Sequence, residues 1–174
     1  DAADPADFLT LQDLTVTGGD LGVPSIATGG GVRSGGPLTL ISVTLRDNRA
    51  GAGGGAAVSG GLTMQRSTVS GNAATANEPG VDRDGDGGGL LLTGGTSRIL
   101  NSTISGNATT GLGGLGAAIA LRDGASLFVV HATIAENNTV DAEEGAVAGE
   151  GGTAVTFETT LLANASADNT TDNC

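Results

Sequence analysis

The sequence predicts an all-β chain folded as a right-handed parallel β-helix (a β-solenoid) of about five to six rungs, with three short strands per rung. Three observations carry this. A six-residue pattern, Ser102-Thr103-Ile104-Ser105-Gly106-Asn107, recurs at 43–48, 67–72, 132–137 and 159–164, with a degenerate first copy at 14–19. A glycine-rich apolar element precedes each later copy, as in Gly54-Gly55-Ala56-Ala57-Val58 and Gly88-Gly89-Leu90-Leu91-Leu92. Large aromatic residues are nearly missing: the 174 residues hold no Trp or Tyr, three Phe and 32 Gly, so the core must be narrow.

Taken in order, the chain opens with an acidic lead-in, Asp1, Asp4, Asp7, Asp13 and Asp20, around a first apolar alternation at Leu9, Leu11 and Leu14. Pro5 and Pro24 lie outside the strand patterns, where a missing N–H does little harm. The closing residues of the copies, Asn48, Asn72, Asn107, Asn137 and Asn164, are separated by 24, 35, 30 and 27 residues, so fixed strands are joined by turns of variable length. Three positions before each Asn stand Leu45, Val69, Ile104, Ile134 and Leu161; one further back stands threonine every time. Neighbours in a strand face opposite ways, so the aliphatic column points inward and the Thr column outward. Five before the Asn come the small residues Val43, Ser67, Ser102, Ala132 and Thr159, and eight before it the mainly apolar Leu40, Met64, Ile99, Val129 and Thr156. Positions of opposite parity that are both buried require a bend between them, expected near Ile41, Gln65, Leu100, Val130 and Phe157. The glycine-rich element supplies the third strand, its glycines permitting positive φ and close backbone approach. Stacked rungs bring the five Asn residues into one structural ladder, each amide bonding its neighbours above and below. A two-sheet β-sandwich, the competing fold, would show hairpin turns and no fixed column.

Nineteen acidic residues against seven Arg, with no Lys, give a net charge of −12. That excludes nucleic acid, where basic residues must neutralise phosphate, and disfavours anionic membranes. It suits solubility, cation binding or a saline exterior. No run approaches the roughly 18 apolar residues of a membrane span, so no membrane insertion is expected. No signal region opens the chain, and Asp1 reads as a mature or artificial start. The even spread of the repeat makes 1–174 a single β-helix domain, either a fragment or a stackable subunit. The one cysteine, Cys174, cannot bridge internally; it is a partner for another chain, or its mate lies beyond the end.

With both repeat elements in hand, the chain resembles the right-handed parallel β-helix repeats of bacterial surface proteins. It is similar in particular to the polymorphic outer membrane protein type, whose repeats pair a Gly-Gly-Ala-Ile-like stretch with a Phe-x-x-Asn-like one. Here the pairs are Gly54 to Val58 with Val69-Ser70-Gly71-Asn72, and Gly88-Gly89-Leu90-Leu91 with Ile104-Ser105-Gly106-Asn107; Val, Ile or Leu stands where the family often has Phe. The resemblance covers nearly the whole chain. It implies an extracellular, cell-surface passenger, adhesin or scaffold, favours a larger reading frame, and carries over no catalytic residue.

The sharpest local signal lies in the longest interval. Asp82, Asp84, Asp86 and Gly87 match the first positions of a calcium loop, where alternate carboxylates wrap a hard cation. Position 12 is Thr93 in place of Glu, so a Ca²⁺ site would be completed by Glu78, backbone carbonyls or water. Of the Asn-x-Ser/Thr sequons, those at Asn107, Asn137 and Asn164 belong to the ladder, which leaves Asn101 and Asn169 as candidate glycosylation sites. A polar column six before the Asn, Ser42, Arg66, Asn101, His131 and Glu158, holds the only histidine. Arg66 and Glu158 lie about three rungs, roughly 14 Å, apart, too far for joint acid–base chemistry. The outward threonines raise ice binding, which the uneven neighbours Arg46, Ser70, Ser105, Ala135 and Leu162 weaken. The expectation is a secreted, non-enzymatic structural or adhesive surface β-helix, whose partners are copies of itself stacked through the end rungs, as in a filament, or surface glycans. The alternatives are a carbohydrate-active β-helix of lyase or hydrolase type and, less favoured, an ice-binding protein.

Overall fold

The computed structural model describes residues 8–22, 27–75, 85–110, 114–139 and 145–163. The chain is a parallel β-helix: the described residues contain no helix, and all strands pair in parallel within four sheets. The first sheet stacks Val32–Ser34, Ala56–Val58, Leu90–Thr93, Ile119–Arg122 and Val147–Gly149. The second stacks Leu9–Gln12, Leu38–Ile41, Leu62–Gln65, Thr96–Leu100, Ser126–Val130 and Ala154–Glu158. The third stacks Thr15–Thr17, Thr44–Arg46, Thr68–Ser70, Thr103–Ser105, Thr133–Ala135 and Leu161–Ala163. Each circuit therefore runs first, second, third sheet as the repeat requires, and then adds a strand the sequence pattern did not announce. This fourth element is two residues long, as in Arg49–Ala50 and Ala73–Ala74. It is too short for a period-two signal.

The interior is filled by the expected columns. Leu40, Met64, Ile99 and Val129 stack on one side, and Leu45, Val69, Ile104 and Ile134 on the other, all fully buried. The three middle first-sheet strands are buried on both faces, which explains the unbroken Leu90-Leu91-Leu92 run. Their inward residues join the main core, while Ala57, Leu91 and Ala120 form a second cluster outside the sheet, covered by Ala52 and Leu115.

The bend falls one residue later than expected in the first four copies and two later in the last. It is made by Ser42, Arg66, Asn101, His131 and Thr159, all with φ between +47° and +54°. A left-handed residue reverses the chain direction sharply, which lets positions of opposite parity both face inward. A second left-handed corner falls at Gly18, Asp47, Gly71, Gly106 and Glu136, immediately before the Asn position, and a third at Gly29, Gly53, Gly87 and Gly116. After the third corner there is no room for a side chain: a Cβ on Gly54 would lie 2.4 Å from the Ala73 carbonyl oxygen and 2.5 Å from that of Gly88.

One expectation fails at the last copy. Ile134 pairs with Leu162, not Leu161, and Val129 with Phe157, not Thr156. The copy is displaced by one residue because that register turns Phe157 and Leu162 toward the core and leaves Thr156 and Leu161 outside. A single-residue slip exchanges every inward side chain for an outward one, so burial decides the register. Thr159 accordingly replaces Glu158 at the corner beside His131.

Candidate functional site

The residues singled out by sequence separate into an internal scaffold and an external surface. Asn48, Asn72, Asn107 and Asn137 are buried and form one continuous ladder. Asn72 Nδ2 donates to Asn107 Oδ1 at 2.9 Å, and Asn107 Nδ2 to Asn137 Oδ1 at 2.9 Å. Each acceptor oxygen also takes the backbone N–H of the preceding Asn, as in Asn72 N to Asn107 Oδ1 at 3.1 Å. The remaining amide hydrogens reach backbone carbonyls, Asn72 to Leu45 and Asn107 to Val69, both at 3.0 Å. Asn164 lies outside the described residues.

A second, shorter ladder escaped sequence reading. Ser67 Oγ accepts from Val43 N at 3.0 Å and donates to the Gln65 carbonyl at 2.8 Å; Ser102 Oγ repeats this with Ser67 N and the Leu100 carbonyl. These serines were legible only as small residues, because alanine or valine fills the same column elsewhere.

Outside, Arg66, Asn101 and His131 are exposed at successive left-handed corners. The sequon residue Asn101 is thus on the surface, whereas Asn107 and Asn137 are buried; Asn169 lies outside the described residues. Thr15, Thr44, Thr68, Thr103 and Thr133 stand in register on the outer face of the third sheet. The adjoining outward column, Thr17, Arg46, Ser70, Ser105 and Ala135, is uneven.

Asp86, the last carboxylate of the acidic insert, is fully buried. Its Oδ1 accepts from Leu115 N at 2.9 Å and its Oδ2 from Arg122 Nε at 2.5 Å. Arg122, itself buried at the end of a first-sheet strand, also pairs through Nη1 with Glu150 on the next circuit. Both Asp86 oxygens are therefore engaged within the protein, where a buried carboxylate needs such partners. Asp86 ties the turn around Gly87 to the first sheet. Asp82, Asp84 and Glu78 lie outside the described residues, as does Cys174, and no group of three acidic, His or Cys side chains among the described residues forms a metal cluster.

Comparison with protein-family models, with curated proteins and with solved structures returned no match. The parallel β-helix and its external surface are therefore what a functional reading rests on.

Proposed function

We propose that the chain is a secreted, non-enzymatic, right-handed β-helix that serves as a structural or adhesive module of a cell surface and associates end to end. The observation that carries this is the state of the two end rungs among the described residues. Leu9 and Leu11 pair with Leu38 and Leu40, which are fully enclosed, yet are themselves only half-buried. With Val16 and Val32 they line an open recess of about 860 Å³. At the other end Phe157 and Leu162 are only half-buried, where their partners Val129 and Ile134 are fully enclosed. Parallel strands with unpaired edges and uncovered apolar side chains are templates for further strands of the same kind. The handedness follows the near-universal preference of parallel crossovers. The cell-surface role draws on the likeness of the repeats to the polymorphic outer membrane protein type.

Sedimentation over a concentration series tests the association, with growth into rods as the expected result; a monomer unchanged up to high concentration would sink it. Antibody labelling of intact cells tests the location. Incubation with acidic polysaccharides, with and without Ca²⁺, tests the non-enzymatic reading, which new reducing ends would overturn. The in-register threonines favour one further reading, ice binding, for which thermal hysteresis above the buffer level is the required observation.

A further inference from the structure

The outside of the second sheet carries a mixed column, Gln12, Ile41, Gln65, Leu100, Val130 and Glu158, beside one that is mostly threonine. The threonine column reads Thr10, Thr39, Thr63, then Arg98 and Phe128, then Thr156, each in register with the next. Two adjacent threonines are replaced by a cation and an aromatic ring. The Arg98 guanidinium lies 5.9 Å from the centre of the Phe128 ring, and the ring stays 39% exposed.

Beside this pair run the corner residues Arg66, Asn101 and His131, all exposed. None of the corners in this column, from Asp13 to Thr159, is a glycine, although each has positive φ and the chain uses glycine freely at the third corner. A side chain retained where glycine would be unstrained points to a use for it.

Charge supplies the third observation. The chain has 19 acidic residues to 7 Arg. Yet the strands Leu38–Ile41, Leu62–Gln65, Thr96–Leu100 and Ser126–Val130, with the corner residue after each, contain no Asp or Glu. They hold two of the Arg residues and the only His. The connections into and out of these strands are described throughout and carry one acid, Asp123, ahead of Ser126–Val130.

We infer that this strip binds a single extended chain of an acidic, uronate-bearing polysaccharide, which gives the adhesive module proposed above its ligand class and rests on that reading. Arg66 and Arg98 supply charge-assisted bonds to carboxylates. Phe128 offers an apolar platform for the face of a sugar ring, and Asn101, Gln65 and His131 offer donors and acceptors for hydroxyls. Contacts that step by one strand spacing, about 4.8 Å per rung, suit a linear polymer laid along the stack. A membrane or a polynucleotide would press many phosphates against the acid-rich remainder of the surface, whereas one polymer chain meets only the acid-free strip.

The test is calorimetric titration of the intact protein with polygalacturonate oligomers, their methyl-esterified counterparts and dextran sulfate, in chelator. Binding of polygalacturonate, with at least tenfold weaker binding of the ester, is expected. Arg98→Thr and Phe128→Thr restore the threonine column, so they are expected to keep the wild-type urea midpoint while each weakens binding at least tenfold; Arg46→Ser on the third sheet is expected to change nothing. The inference is overturned if acid and ester bind alike or not at all, if Phe128→Thr binds as wild type, or if dextran sulfate binds as tightly as polygalacturonate to wild type and Phe128→Thr alike. Loss of binding with cell-surface labelling and rod formation intact would remove the ligand and leave the surface module standing; binding by a protein absent from the surface would do the reverse.

Discussion

Replacing Asn107 by alanine tests whether the amide ladder, and not the aliphatic columns alone, couples one rung to the next. Asn107 is fully buried and its side chain makes four hydrogen bonds between 2.9 and 3.1 Å. Asn107→Ala leaves Asn137 Oδ1 with the Asn107 N–H, which bonds it at 3.1 Å. The Asn72 backbone N–H and one Asn72 amide hydrogen lose their acceptor in a region water does not reach. At about 1–3 kcal/mol for each orphaned buried donor, the loss is about 4 kcal/mol, a large part of the 5–15 kcal/mol that holds a typical domain together. Asn48→Ala is the internal control. It strips Gly19 N of an acceptor, but Gly19 is only half-buried and water can substitute, so about 1 kcal/mol is expected. Urea unfolding followed by circular dichroism measures both. A fall in the slope for Asn107→Ala would show the stack splitting into two units at the cut, as nearest-neighbour coupling in repeat proteins allows. Equal midpoint losses for the two variants would refute the reasoning, because a ladder that couples rungs must matter more in its middle than at its end.

Two further outcomes follow from backbone space and buried charge. Gly54→Ala is expected to cost about 3 kcal/mol, since the new methyl meets the backbone carbonyls of Ala73, at the end of its own circuit, and Gly88, on the next, whereas Gly124→Ala meets nothing within 4 Å and bears only the left-handed cost of about 1 kcal/mol. Thermal midpoints separated by several degrees check this, and equal midpoints would show that the rungs can spread. Arg122→Met leaves the fully buried Asp86 without its cation and is expected to lose about 3–5 kcal/mol; Arg122→Met with Asp86→Asn keeps the acceptor for Leu115 N, removes the charge and should recover more than half. A double variant no more stable than the single one would show that Arg122 acts by packing alone.

Most of the interior was legible in the sequence because its constraints repeat. A column that is aliphatic at Leu45, Val69, Ile104 and Ile134 and amide at Asn48, Asn72, Asn107 and Asn137 leaves few other ways to stack. What escaped reading obeys constraints that do not repeat in residue identity. The corner beside the second sheet is a backbone conformation, and Ser42, Arg66, Asn101 and His131 share φ without sharing chemistry. The last copy was misaligned because Thr160-Leu161 imitates the Thr-aliphatic pair, while the burial of Phe157 and Leu162, a property of the whole stack, favours the next register. At Asp86 sequence shows the spacing of carboxylates and conceals the arginine that faces one of them 36 residues later.

The same asymmetry locates where function has room to act. Inside, a departure from the column leaves a buried donor unpaired or drives a side chain into the next rung's carbonyl, so the core positions are held by stability alone. Outside, threonine is a sufficient strand residue at almost every rung, and a departure costs the fold little. An Arg–Phe pair that interrupts in-register threonines is therefore not accounted for by the scaffold. Repetition makes such a departure visible: four threonines that solve the same structural problem set the standard against which Arg98 and Phe128 stand out.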